Sequence, residues 1–518
     1  MWKCPVCDQE NNAATVCPTC GYDRTCDYER YPTAFTVKGA KSTRALRREW
    51  QEKQNPPTNP QPRPAAPPTA QPAPTAAPAK KESGLWKVLA VVAVIAFVIA
   101  AVKFAVGSYP SVMYDNRYGG TYVNIRLNSG SISNQMVEDA QKLLKAYSCT
   151  RIQISEGAID AASMEQISKL TDVEEIVFSG YTKVSDFDRL SGMPSLLSID
   201  LEGSSESESE LDLTGIEKIA TLESLDISGF ESVDLMELRN AVQLKSLGVN
   251  YSDNITNLNG LAGLTNLTQL DLTGGQISDL RPLSALTNLK VLNLSRNSIT
   301  SLTELEGLTS LTNLTELDLH DNQISDLQPI SNLTNLTVLD IRNNQITSLA
   351  GLENLTKLTS IDAYGNNITT LAGLENLKNL KTLYVAGNQI SDLRPLSKLA
   401  NLESLSISRN QITSLAGLEN LTKLTFLVLD NNQISDLQPI SGLTNLKRLN
   451  INGNQITSLA GLENLTKLTD LEIGSNQITT LAGLENLTNL TYIYASGNPL
   501  TDTSALEASG CMDALTTD

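Results

Sequence analysis

The strongest constraint on this chain of 518 residues is an asparagine that returns at a fixed interval. A step of 22 residues joins nine of them, which are Asn322, Asn344, Asn366, Asn388, Asn410, Asn432, Asn454, Asn476 and Asn498. Most of them follow an apolar pattern of the form Leu-x-x-Leu-x-Leu, which weakens toward residue 150. A chain that repeats at this period is expected to fold as a stack of similar units.

The apolar pattern within one unit predicts a short strand followed by a turn. Successive strand residues face opposite sides of a sheet, so Leu317 and Leu319 should face the interior and Asp318 the open face. The amide of Asn322 carries two donors and one acceptor, so stacked copies should satisfy backbone groups in the buried turn. One unit cannot bury its own apolar edge, so about sixteen stacked units should share one core. The sequence therefore predicts an α/β-type solenoid with a parallel sheet.

Segments such as residues 344–358, NQITSLAGLENLTKL, resemble the 22-residue leucine-rich repeats of the internalin family of bacterial surface proteins. The resemblance is close over residues 260–505 and loose over residues 150–260. It implies a curved, right-handed solenoid in which the parallel sheet forms the concave side. It also implies that this concave sheet recognises other proteins.

Five of the seven cysteines lie within the first 26 residues, as two Cys-x-x-Cys pairs and one further cysteine. Nine residues separate the pairs, and at this spacing four thiolates can surround one metal ion. The alternative is a set of disulfides, which would need an oxidising compartment. The segment resembles the short zinc ribbons at the N-termini of many bacterial membrane proteins. This resemblance implies a structural zinc in residues 1–26 with the ligands Cys4, Cys7, Cys17 and Cys20.

The segment after the zinc ribbon indicates a membrane anchor. A basic polar tail at residues 27–54 and a disordered Pro/Ala-rich linker at residues 55–84 precede an apolar stretch at residues 85–106. Twenty-two helical residues span about 33 Å, which is enough for the hydrocarbon layer, and Lys87 and Lys103 can extend their charges to the interface. We therefore expect one transmembrane helix.

Charge predicts the orientation of this helix. Residues 1–87 carry 13 basic and 8 acidic side chains, whereas the remainder carries 26 basic and 49 acidic ones. Positive segments tend to stay in the cytoplasm, and reduced thiolates agree with that compartment. The sequence thus predicts a single-pass membrane protein with a cytoplasmic N-terminus and an extracellular repeat domain.

The region beyond the predicted span divides into three parts. Residues 107–149 should form a stalk and an N-terminal cap, because the end units of a stack would otherwise expose their core. Within this part, Val137, Ala140, Leu144 and Tyr147 should share one face of a helix. Residues 150–505 form the predicted leucine-rich-repeat solenoid. Residues 506–518 form a C-terminal cap or tail.

Comparison of the repeats with one another separates a constant frame from a variable face. The return-path residues recur almost unchanged, whereas the residue between the two strand leucines changes from Asp318 to Tyr384 to Val428. Such variation is typical of a recognition surface, although drift on a solvated face would produce the same pattern. The candidate ligand-binding residues are Asp318, Asp340, Asp362, Tyr364, Tyr384, Phe426, Val428, Tyr492 and Tyr494.

Two features distinguish these candidates. Asp318, Asp340 and Asp362 occupy adjacent strands, where like charges repel unless a cation or a basic partner is present. A solvated acidic face with Arg342 nearby is the favoured interpretation, because exposed charges cost little. The aromatic candidates are hot-spot residue types for protein binding. His320, the one histidine, is expected to belong to this binding surface.

Composition limits the functions that remain. A net charge of -18 argues against nucleic-acid binding by the repeat domain. The sequence shows neither a nucleophile–base pair nor a phosphate-binding loop, so we expect no enzyme activity. The predicted function is that of a membrane-anchored leucine-rich-repeat protein that binds a protein or cell-surface ligand through its concave sheet. The alternative is a signalling or scaffold protein whose cytoplasmic zinc ribbon docks a partner.

Overall fold

The structure is a computed structural model, and it describes eight segments of the chain. They are residues 2–3, 10–11, 111–115, 120–127, 131–203, 210–252, 254–302 and 310–517. The chain divides into two compact units. The first unit is Lys41–Leu222, and the second consists of Met1–Ala40 together with Glu223–Asp518.

Several predicted segments lie outside the described residues. Near the N-terminus, only β1 (Trp2–Lys3) and β2 (Glu10–Asn11) are described, and they pair antiparallel. Across the described ranges, no helix is long and apolar enough to cross a membrane. The predictions that lie outside them are the zinc ligands Cys4, Cys7, Cys17 and Cys20, the tail at 27–54, the linker at 55–84 and the span at 85–106.

The first unit is a small mixed sheet with two helices. Its elements are β3 (Ser111–Asp115), β4 (Gly120–Arg126), α1 (Asn134–Tyr147), β5 (Arg151–Ile159), α2 (Ala161–Ile167), β6 (Glu175–Val184), β7 (Ser198–Gly203) and β8 (Glu210–Leu211). β3 runs antiparallel to β4. β4, β5, β6 and β7 then follow as parallel neighbours, and β8 also pairs with β6.

Helix α1 occupies the position expected for a helix near residue 140. Ser133 caps it by accepting a hydrogen bond from the backbone N–H of Met136, at 3.3 Å. Val137, Ala140 and Leu144 are buried as predicted. Tyr147 is not, because it stands at the last turn of the helix and is 56% exposed, so its predicted place on the buried face is wrong.

The second unit is built from short strands joined by compact turns. Its strands are β9 (Ser224–Ser228), β10 (Ser232–Asp234), β11 (Ser246–Asn250), β12 (Asn254–Thr256), β13 (Gln269–Asp271), β14 (Val291–Asn293), β15 (Glu316–Asp318), β16 (Val338–Asp340), β17 (Ser360–Asp362), β18 (Thr382–Tyr384), β19 (Ser404–Ser406), β20 (Phe426–Val428), β21 (Arg448–Asn450), β22 (Asp470–Glu472), β23 (Tyr492–Tyr494) and β24 (Leu515–Thr516). One short helix, α3 (Ser504–Ser509), precedes β24. β10 pairs with β12. The other strands form one parallel sheet in chain order.

The register of this sheet repeats the period of the sequence. Leu317 of β15 pairs with Leu339 of β16, which pairs in turn with Ile361 of β17. Leu317 and Leu319 are fully buried, as predicted from their alternation with Asp318. The return path of each coil supplies the opposite wall of the core. In the coil after β15 this wall consists of Leu327, Ile330, Leu333 and Leu336.

The recurring asparagine fastens each coil to its neighbours. The Asn366 amide donates to the carbonyls of Ile341 and Ala363 at 2.9 and 3.2 Å, and its oxygen accepts from the backbone N–H of Ile346 at 3.1 Å. The side chain thereby satisfies buried backbone groups in two coils, as predicted. Equivalent contacts occur at Asn322, Asn344, Asn388, Asn410, Asn432, Asn454 and Asn476.

We predict that Asn366→Ala lowers the free energy of unfolding by about 2–3 kcal/mol, because a buried N–H and two carbonyls lose their partner. The matched control is Asn367→Ala, since Asn367 is the next residue and is exposed. Urea unfolding followed by circular dichroism measures both changes. Equal midpoints for the two variants would contradict the structural role given to Asn366.

Candidate binding site on the strand face

The variable residues of the second unit lie on one side of its parallel sheet. In each three-residue strand the middle residue is buried in the core, while the first and third residues point to the opposite side. We call this opposite side the strand face. It carries the predicted candidates that belong to strands, and Tyr364 lies two residues after the end of β17.

Aspartates occupy the third position on several of these strands. Asp271 aligns with Asn293, which is followed in register by Asp318, Asp340 and Asp362. We call the four aspartates the acidic row. The expectation that Asp318, Asp340 and Asp362 form a solvated face is wrong, because Asp318 and Asp340 are each only 1% exposed and Asp362 is also buried. Asp271 is buried as well.

The burial of the acidic row has a local cause. Each carboxylate folds back over the end of its own strand and accepts the backbone N–H two residues further on. The distances are 3.0 Å from the N–H of His320 to Asp318 and 3.1 Å from the N–H of Arg342 to Asp340. The side chains of His320 and Arg342 then contact the same carboxylates. The acidic row is therefore covered by residues of its own turns.

Arg342 is the cation that joins two members of the acidic row. One guanidinium nitrogen lies 2.6 Å from Asp340 Oδ2, and Nε lies 3.5 Å from Asp362 Oδ2. Burial alone would lower the pKa of Arg342, but the two carboxylates outweigh it and raise the pKa. The guanidinium thus stays charged, and the prediction that Arg342 lies near these aspartates is confirmed.

His320 pairs with Asp318. Its Nδ1 lies 2.7 Å from Asp318 Oδ1, and its Nε2 lies 3.6 Å from Asp321 Oδ2. Burial would lower the pKa of His320, but the carboxylates of Asp318 and Asp340 more than offset this and raise it. His320 is therefore held in a largely enclosed charged pair rather than on an open binding surface.

Burial also changes the acidity of the row. It raises the pKa of Asp271 from 3.8 to about 7, and it likewise raises the pKa of Asp362 to about 7. Burial and the neighbouring Asp318 raise the pKa of Asp340. An unfolded chain leaves such carboxyl groups near their ordinary pKa. Stability from Asp271 and Asp362 is therefore fully present below about pH 4 and is lost as the pH rises through about 7.

The aromatic candidates remain accessible. Tyr364 and Tyr492 are 43% and 41% exposed, while Tyr384, Phe426 and Tyr494 are half-buried. Val428 shares this half-buried state. These side chains lie on and beside strands β17 to β23, whereas the acidic row ends at β17. Unlike the aspartates, they present surface that a partner can cover.

The sequence did not single out a second polar network on the strand face. Glu472 of β22 accepts from Arg448 at 2.9 Å and from the amides of Asn450 and Asn452 at 2.9 and 3.0 Å. The available signal was the opposite charges of Arg448 and Glu472, which are diagonal neighbours on adjacent strands. The neighbouring Tyr494 ring lies against the backbone of Gly474, where a Cβ atom would come within 2.5 Å of the ring.

Comparisons with known proteins identify the repeat. The family model for leucine-rich repeats (2 copies) matches seven stretches, at residues 287–332, 312–354, 356–398, 400–442, 422–464, 444–486 and 466–508. Together with the buried leucines and the asparagine ladder, this match shows that the chain is a leucine-rich-repeat protein. Among curated proteins, none matches the sequence.

Solved structures agree with this class. An internalin, InlF of Listeria monocytogenes, is 29% identical over 68% of this chain and 89% of its own, with a TM-score of 0.51. A leucine-rich-repeat protein of Leptospira interrogans is 26% identical over 68% of this chain and 91% of its own, with a TM-score of 0.62. The Toll–Spätzle complex of Drosophila is 18% identical over 73% and 61%, with a TM-score of 0.54, and shares the fold alone. The protein thus has internalin-like structural neighbours and a curved leucine-rich-repeat fold.

We predict that Asp271→Asn makes the protein more stable at pH 8, by up to about 4 kcal/mol, and changes stability little at pH 4. The reason is that the wild-type carboxyl group must ionise in a buried site above about pH 7. Asparagine already occupies the equivalent strand position at Asn293. Urea unfolding at the two pH values measures the effect.

The control for this prediction is Asp279→Asn. The side chain of Asp279 is 44% exposed, and hydrogen bonds from Arg281 lower the pKa of its carboxyl group, so its replacement should bring no gain at pH 8. A gain of equal size in both variants would refute the assignment to burial.

Proposed function

We propose that this protein binds another protein through the strand face of its second unit and carries out no catalysis. The observation that carries the proposal is the set of accessible aromatic side chains there, led by Tyr364 and Tyr492. A protein partner that buries such rings gains a large apolar contact area at low conformational cost. The Toll–Spätzle complex, whose structure shares this fold, is in keeping with this role.

The aromatic residues would make the contacts and the acidic row would not. Tyr384 and Phe426 lie two strands apart on the strand face and are half-buried, so each ring still offers surface. The buried carboxylates of Asp318, Asp340 and Asp362 already hold intramolecular partners. We therefore assign partner binding to Tyr364, Tyr384, Phe426, Val428, Tyr492 and Tyr494.

We predict that a photo-crosslinking amino acid at position 384 or 492 captures one defined protein, whereas the same group at position 398 does not. Lys398 is exposed on the return path of its coil and serves as the control. Once that partner is identified, Tyr384→Ala combined with Phe426→Ala should weaken binding at least about thirtyfold, since one hot-spot residue alone contributes about 2 kcal/mol. The melting temperature should change little. Unchanged affinity would reject the proposed surface.

We further propose that residues 85–106 anchor the protein in a membrane. The tail with Cys4, Cys7, Cys17 and Cys20 would then hold a structural zinc in the cytoplasm, and the repeats would face a protein or cell-surface ligand outside the cell. The support is the length of the apolar stretch, the charge difference across it and the cysteine spacing. A signalling or scaffold role, with the zinc ribbon as a docking module, is the alternative.

Protease treatment of intact cells tests this arrangement. We predict that a C-terminal tag is lost while an N-terminal tag survives, and that both are lost after lysis. Protection of the C-terminal tag in intact cells would place the repeats inside. The protein would then be an intracellular scaffold, and the search for a partner at position 384 would move to the cytoplasm.

A further inference from the structure

Three metal-ligating side chains meet within the acidic row. Asp318, His320 and Asp340 each offer one ligand atom, and these atoms all lie within 4.8 Å of one another. Asp318 and Asp340 are paired residues of β15 and β16, so the parallel register fixes their separation. His320 follows β15 by two residues and is brought to the same place by the turn. The cluster combines two carboxylates with one imidazole.

One oxygen of this cluster lacks a partner. Asp318 Oδ1 receives both contacts from His320, namely its backbone N–H at 3.0 Å and its Nδ1 at 2.7 Å. Asp318 Oδ2 is buried, and within the described part of the chain no donor lies at hydrogen-bonding distance from it. Leaving a buried carboxylate oxygen without a partner is unfavourable. A cation bound beside Asp318 would supply the missing interaction.

Charge balance points to a cation as well. Asp318, Asp340 and Asp362 bring three carboxylates together, and the guanidinium of Arg342 contacts two of them. Once a metal ion has displaced the proton of His320, the three ionised carboxylates and the guanidinium sum to two negative charges. One divalent cation neutralises them, which in an enclosed site is worth far more than on a solvated surface.

We propose that Asp318, His320 and Asp340 form a binding site for one divalent transition-metal ion, represented by Zn²⁺. An imidazole with two carboxylates suits zinc and similar ions, whereas calcium and magnesium take oxygen ligands almost exclusively. Ligands of a tetrahedral zinc ion lie about 3.4 Å apart, so ligand atoms that now lie up to 4.8 Å apart must approach by up to about 1.4 Å. The metal replaces the proton of His320, and its affinity therefore rises with pH.

The chain contains a matched comparison for this site. Asp271 of β13 belongs to the same row, is equally buried and also has an oxygen, Oδ2, for which the described residues supply no donor. Where β15 has His320, however, the β13 coil has Thr273, whose hydroxyl donates to Asp271 Oδ1 at 2.6 Å. The strand position next to Asp271 holds Asn293 instead of a second carboxylate. The β13 coil therefore has the buried carboxylate without the other ligands.

Zinc titration of the full chain tests the proposal. The parent for the experiment carries Ser at positions 4, 7, 17 and 20, so that the proposed zinc ribbon contributes no thiolates. Isothermal titration calorimetry should then give one Zn²⁺ per chain. His320→Thr and Asp318→Asn should each weaken this binding at least about tenfold, because each removes a ligand. Asp271→Asn should leave it unchanged.

These variants should keep the repeat fold, so that weaker zinc binding reports the loss of a ligand and not unfolding. His320→Thr reproduces the Asp-x-Thr arrangement that the β13 coil already has, and circular dichroism should show an unchanged repeat fold. Cobalt offers a second measurement, since its visible absorption in the same parent should disappear on His320→Thr. Absence of zinc binding in the parent, or equal zinc affinity of the parent and His320→Thr, would overturn the site. Partner binding by the aromatic residues does not require this metal, so either result would leave that proposal standing.

Discussion

The fold depends on the fact that a single coil cannot bury its own apolar edge or provide partners for all of its backbone groups. Each coil has an apolar edge and buried backbone groups that it cannot satisfy without the adjacent coils. The recurring asparagine satisfies the buried backbone groups. The Asn366 amide donates to the carbonyls of Ile341 and Ala363 in two adjacent coils, and its oxygen accepts from the backbone N–H of Ile346. The leucines of stacked coils cover one another's apolar edges. Because both requirements recur every coil, the period of the sequence becomes the period of the sheet.

Stacking does not fix which residues occupy the strand face, but some of these residues still stabilise the fold. A third-position aspartate such as Asp340 can reach the backbone N–H two residues later, and it does so wherever the acidic row occurs. The carboxylate is then part of the turn, and its burial raises its pKa. The hydroxyl of a tyrosine at the same position, such as Tyr384, reaches across to the Ser404 hydroxyl at 3.1 Å. The residue type at the third strand position thus decides whether the side chain stabilises its own turn or lies on the strand face.

The sequence was sufficient for the features that depend on periodicity. The alternation of Leu317, Asp318 and Leu319 predicts which side chains enter the core, and the donor and acceptor of Asn322 predict the ladder. The burial of Asp318 was not predicted, because it depends on the size and charge of His320 in the following turn and not on strand alternation. The pairs Asp318 with His320 and Asp340 with Arg342, each two residues apart, are the signal that could have revealed it.

The acidic row and the aromatic residues are connected through one turn. The backbone N–H of Tyr364 donates to Asp362 at 3.1 Å, while Arg342 contacts that carboxylate from the other side. Tyr364 is also one of the most exposed rings on the strand face. An ionised carboxylate accepts such a hydrogen bond more strongly than a neutral one. Any change in the charge of the acidic row, by a proton or a cation, therefore acts on the turn that presents Tyr364 to a partner.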